Sequence, residues 1–118
     1  MIDDPLSFRL EKDVALQMRP ARLNDAEFEW AVRSLCEVNP GIFACWLVEA
    51  RSPVYPDPVV LIVLLLDDSA GPIAKAAAPF VEMLAAVPRL QHRTYILEAG
   101  GIDGGPPGDP FYVRDAAV

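Results

Sequence analysis

The sequence predicts an α+β fold: a ferredoxin-like βαββαβ two-layer sandwich, with an antiparallel sheet, two helices on one of its faces, and a docked C-terminal tail. Three observations predict it. Four apolar runs of strand length are separated by clusters of Pro, Gly, Asn and Asp. Two segments with helical spacing of apolar residues follow the first and third of these runs. That alternation suits helices gathered on one side of an antiparallel sheet. The chain has 118 residues, enough for a single domain with a real core.

Residues 1–13 are mixed and charged and read as an edge segment, with a short strand over Leu6–Leu10. Val14, Leu16 and Met18 alternate with Ala15 and Gln17, the pattern of a half-buried strand that Pro20 ends. Asn24 then serves as N-cap to a helix over Asp25–Val38, with acidic Asp25, Glu27 and Glu29 at the positive end of its dipole. Ala31, Leu35 and Val38 form its apolar stripe, with Phe28 alongside. Asn39-Pro40-Gly41 stops the helix.

Ile42–Arg51 is the second strand, and the proline-rich stretch Ser52–Pro58 turns the chain into a hairpin. The third strand is VVLIVLLL, Val59–Leu66, which carries no polar side chain. A membrane-spanning helix needs about 20 apolar residues, and this run has eight. As a strand it covers roughly 26 Å, a normal length for a central one. Apolar residues at both parities imply burial on both faces. Gly71-Pro72 opens a second helix that runs to about Val87, with Pro79 inside it removing one backbone bond. A fourth strand, His92–Glu98, follows. Residues 99–118 form a Gly/Pro-rich loop and a tail whose Phe111-Tyr112-Val113 is apolar enough to dock on the body.

Composition excludes several functions. The net charge is −7, and the ten basic residues are scattered from Arg9 to Arg114 without a run, which disfavours nucleic acid and anionic membranes. Taking Val14–Met18 and Val59–Leu66 as the central strands, neither carries the aromatic and basic residues of an RNA-binding sheet. The acidic N-terminus MIDDPLSFRL has no apolar export signal, so a cytoplasmic protein with reduced thiols is expected. Cys36 and Cys45 then read as small buried hydrophobes.

Candidate chemistry is sparse. His92 is the sole histidine, so no His-based metal cluster can form within one chain. Asp67-Asp68-Ser69, Asp103 and Asp109 match no calcium-loop spacing and read as solvated turns. Gly100–Gly105 lacks the lysine and the following helix of a phosphate loop. No metal and no cofactor is implied, and acid–base chemistry lacks a positioned set of groups. A non-catalytic protein is expected.

The apolar sheet suggests a partner instead. Helices can cover only one face, and Phe43, Cys45 and Leu47 alternate with Ile42, Ala44, Trp46 and Val48 without a polar side. Phe43, Cys45 and Leu47 are expected on the outward face, where a second subunit, another protein or the chain's own termini cover them. Trp46 is assigned to the helix-side core. A homodimer or protein partner through that face is the expectation.

The run Val38-Asn39-Pro40-Gly41-Ile42-Phe43-Ala44-Cys45-Trp46-Leu47 resembles the C-terminal domain of the SseB (enhanced serine sensitivity) family, where a proline-containing turn leads into a strand bearing a small residue, an aromatic and Leu. Ala76-Ala77-Ala78-Pro79-Phe80 and the tail Pro110-Phe111-Tyr112-Val113-Arg114 are similar to that family in the same order, so that the resemblance spans roughly Val14–Arg114. The family's N-terminal domain has no counterpart in the chain. The resemblance implies no established reaction and no catalytic residue; it singles out only the tail motif Pro110, Phe111, Tyr112 and Arg114. Its link to serine tolerance makes a second class worth weighing, a small-ligand regulatory module like the amino-acid-binding ACT domains, which share this element order.

Overall fold

The structure is a computed structural model, and it describes residues 17–21, 25–52, 55–68, 71–86, 94–102 and 105–114. The elements are β1 (Gln17–Pro20), α1 (Ala26–Glu37), β2 (Ile42–Ser52), β3 (Tyr55–Leu66), α2 (Ile73–Ala86), β4 (Thr94–Glu98) and β5 (Tyr112–Val113). The edge segment over Leu6–Leu10, the start of the first strand and His92 lie outside the described residues.

The cap of α1 is Asp25 rather than Asn24. Its carboxylate accepts from the Phe28 backbone N–H at 3.0 Å. Aspartate reaches the third N–H as well as asparagine does, and its charge also suits the helix dipole. The buried stripe is Phe28, Val32 and Cys36, each one turn apart. It replaces the expected line through Ala31, Leu35 and Val38, and Val38 stands 76% exposed. A stripe four residues apart includes the Phe28 ring, whereas the expected one would have left it alongside. At the helix end, Asn39 folds back: its side-chain oxygen accepts from Gly41 N–H.

The sheet has the order β1-β2-β3-β4. β1 is antiparallel to β2 in the register Gln17↔Arg51 to Pro20↔Val48, so Pro20 lies within the strand it was expected to end. As the last residue of an edge strand, a proline costs the ladder nothing. β2 and β3 form a hairpin, with Ser52 opposite Tyr55, tighter than the expected turn over 52–58. Pro56 and Pro58 fall in the stretch where no β2 residue is register-paired, so their missing N–H groups break no cross-strand bond.

Two helices on one face and the βαββαβ order make the expected two-layer α+β sandwich. Two details of the sheet differ from expectation. β4 runs parallel to β3, from Val60↔Thr94 to Leu64↔Glu98, so the sheet is mixed. Here α2 serves as a crossover that returns the chain in the same direction beside the strand it left. The centre is therefore the β2–β3 hairpin, and it does carry aromatics, Phe43 and Trp46.

The helix face holds Cys45, Leu47, Val60, Ile62, Leu64 and Ile96, packed against Phe28, Val32 and Cys36 of α1 and Ala77, Phe80 and Leu84 of α2. The other face holds Val48, Ala50, Val59, Leu61, Val63 and Tyr95, with Trp46 packed on it. This reverses the expected assignment. Cys45 and Leu47 lie beneath the helices, and Trp46 lies opposite. The cause is a bulge: Ile42 pairs with Leu66 and Ala44 with Leu65, so Phe43 is an extra residue. It puts Ile42 and Cys45 on the same side, inverting the parity that follows. No helix among the described residues is long and apolar enough to cross a membrane.

Candidate functional site: the C-terminal wrap and the apolar end of the sheet

Most of the second sheet face is covered within one chain. Val48, Val59, Leu61 and Val63 are fully buried within one chain. Part of the cover is the segment after β4. Ala99 and Ile102 pack on this face. Further on, the Gly108 carbonyl accepts from the Trp46 indole N–H at 3.3 Å, and Gly108 lies against the Pro20 ring of β1. The segment therefore crosses from the β4 edge to the β1 edge of the sheet. Trp46 turns its apolar rings to the sheet and its one donor to the loop, satisfying both halves of an amphipathic side chain.

The chain then rounds the sheet edge to the helix side. Phe111 and Tyr112 pack against the helix-side core. The guanidinium of Arg33, on α1, lies 4.5 Å from the Phe111 ring centre and donates to the Phe111 carbonyl at 3.2 Å. β5 adds to the same edge of β2 that β1 occupies further along, with Ala44 opposite Val113 and Cys45 opposite Tyr112. The Arg114 N–H donates to the Phe43 carbonyl at 2.7 Å.

Arg114 closes the wrap. Its guanidinium meets the Asp67 carboxylate at 2.5 Å, donates to the Pro40 carbonyl, and lies 5.4 Å from the centre of the Phe43 ring. Asp67 thus holds the tail, where the sequence suggested a solvated turn. A carboxylate at a strand end and an arginine in an apolar tail were the available signals, but a separation of 47 positions hid the pairing. The expected docking of Phe111 and Tyr112 is present. Pro110, Phe111, Tyr112 and Arg114 all lie in this wrap.

Two thiols lie under the tail. Cys36 on α1 and Cys45 on β2 are both free, fully buried and part of one core. A hydrogen bond to Cys36, together with burial, holds the Cys45 thiol well above the ordinary thiol range. Burial raises the Tyr112 hydroxyl, and the neighbouring Cys36 adds to that shift. Sequence reasoning treated the two cysteines singly. Their separation along the chain, a helix end and the next strand, was the signal that could have joined them.

At the other end of the second face an apolar patch stays open. Val113, Ala44 and Leu65 are register neighbours on β5, β2 and β3. Val113 is 50% and Leu65 37% exposed, and the bulged Phe43 beside them is 36% exposed. Trp30 and Val38 of the α1 region are the other exposed large apolar residues among those described. Of the expected interface trio, then, only Phe43 reaches the surface.

Among the described residues, no three His, Cys, Asp or Glu side chains gather as metal ligands. Asp68 and Asp109 are exposed, while Ser69, His92 and Asp103 lie outside the described residues. Ala99–Gly101 is a short 3-10 turn. No protein-family model, curated protein or solved structure matches the chain.

Proposed function

We propose that this domain is a non-catalytic protein-interaction module, and that its first partner is a second copy of itself. The observation that carries the reading is the trio of partly exposed side chains Val113, Leu65 and Phe43 around the buried Ala44, at one end of an otherwise buried face. Adjacent strands lie about 4.8 Å apart, so Val113 and Leu65 flank Ala44 in an apolar strip about three strands wide. Two such strips are self-complementary about a twofold axis. The strip is well short of the roughly 800 Å² per partner of a stable interface, so the contact is a weak and concentration-dependent dimer. The resemblance to the SseB C-terminal domain is compatible with this reading, because that family implies no established reaction. The tail motif is also the segment that brings Val113 beside Ala44.

Sedimentation velocity over a wide range of protein concentration tests the proposal. The expected result is a mass that rises toward the dimer as concentration increases, and a Leu65→Glu variant that stays monomeric. A wild-type protein that remains a monomer throughout overturns self-association.

A further inference from the structure

We propose that the solvent side of α1 is a second interaction surface, built around Trp30, and that its occupant is an arginine-bearing segment of a basic protein. Helical spacing and exposure carry the inference. Phe28, Val32 and Cys36 face the core, so the opposite side of the helix presents Glu27, Trp30, Ser34 and Glu37 along one line. Trp30 stands within that line and is 70% exposed, the largest of the exposed apolar side chains among the described residues. Exposed single apolar residues are ordinary, but tryptophan and arginine dominate the binding energy of protein interfaces. This surface belongs to the helix layer and the strip around Ala44 to the sheet layer, so the two contacts are separable.

Charge decides the occupant. The helix holds Glu27, Glu29 and Glu37 against a single cation, Arg33. That guanidinium is turned to the tail, over the Phe111 ring and onto its carbonyl. Glu27 and Glu29 stand in the first turn, where the helix dipole favours them. Glu37 does not: it lies at the C-terminal end, in a last turn without a basic residue, against the negative end of the dipole. A cation brought by a partner relieves that conflict, and local conflicts of this kind belong to surfaces that serve binding. Arginine answers both groups, because its planar guanidinium stacks on an indole face and forks to a carboxylate. The net charge of −7 draws a basic partner in. A twofold contact between two copies through this face would instead set carboxylate against carboxylate.

The test titrates the full-length protein with a synthetic helical peptide of arginine and alanine at low ionic strength, read by calorimetry and tryptophan fluorescence. Saturable binding with a change in the tryptophan signal is expected, and a glutamate–alanine peptide of the same length should give none. Trp30→Ala should weaken binding about tenfold, as loss of a cation–π stack does. Glu37→Gln should weaken it several-fold, whereas Glu82→Gln, the same loss of charge on the exposed side of α2, should leave it unchanged. All three side chains face solvent, so the variants should keep the wild-type circular dichroism. The proposal is overturned if the arginine peptide gives no saturable binding, or if Trp30→Ala binds it with wild-type affinity. It is also overturned if Glu82→Gln weakens binding as much as Glu37→Gln, since net charge alone would then account for the effect.

Discussion

Gly108 shows how one residue fixes the path of the C-terminal segment. Its φ is +75°, a region that disfavours any residue with a Cβ, and a Cβ there would meet the Pro20 Cγ at 2.7 Å. Both the backbone and the close approach require glycine. Gly108→Ala should therefore lose roughly 1–3 kcal/mol, read as a lower urea midpoint with an unchanged slope. A second residue-scale effect concerns Glu49. Its side chain accepts from Arg19 at 2.9 Å, and that bond holds its carboxyl below the ordinary range. The stability it adds is present above the unfolded carboxylate value, about 4.3, and is lost as pH falls through the lower folded one. Arg19 is exposed and solvent screens the pair, so the effect is small. In thermal melts, the gap between wild type and Glu49→Gln should be widest at neutral pH and shrink on acidification. Cys45 and Leu47 mark the limit of residue-level reading. Their apolarity was legible, but the face they take depends on one extra residue, Phe43, and a bulge leaves no mark in a run that is apolar at both parities.

Elements were easier to read than their partners. Val59–Leu66 and Ile42–Arg51 are strands because β-branched and aromatic residues dominate them, and the turn at Asn39–Gly41 and the glycine at Gly71 bound the helices. Strand order was not legible in the same way. An α-helix between two strands permits either an adjacent pair or one with a strand between, and local pattern does not choose. β5 is the clearest element-level case. Two residues make a weak strand, so the side chains supply most of the docking: the Phe111 ring under Arg33, and Arg114 on Asp67 and Pro40. Deleting residues 108–118 removes these together with Tyr112. A loss of roughly 2–4 kcal/mol is expected, comparable to removing large buried side chains. An unchanged melting temperature for the truncated chain would mean that the tail contributes nothing to stability.

At the scale of the whole molecule, the two sheet faces meet different fates, and this separates two substitutions that the sequence made look alike. Leu47 is 8% exposed beneath the helices. Leu47→Glu buries a carboxylate without a partner and should unfold the domain rather than merely disperse an assembly. Leu65→Glu, on the open end of the second face, should leave circular dichroism unchanged. Measuring both variants by circular dichroism and sedimentation separates the core from the surface. The two readings would be exchanged if Leu47→Glu folded normally and Leu65→Glu did not. The apolar excess that suggested a partner is largely accounted for by one chain, because the sheet has a helix layer on one side and part of its own C-terminal segment on the other.

That wrap also sets an order of events. Residues 99–114 follow in the chain every strand they lie against, and their docking joins Arg114 to Phe43 and Asp67, and Gly108 to Trp46, across long loops. Such contacts form late, after loop-closure entropy has been met by the sheet itself. During synthesis the hairpin and helices can assemble while the second face is still without this cover. For that interval the nascent domain exposes the surface around Trp46 to other chains. Amide exchange should record the same hierarchy in the finished protein, with the β2–β3 hairpin protected to the global limit and β5 opening far more often.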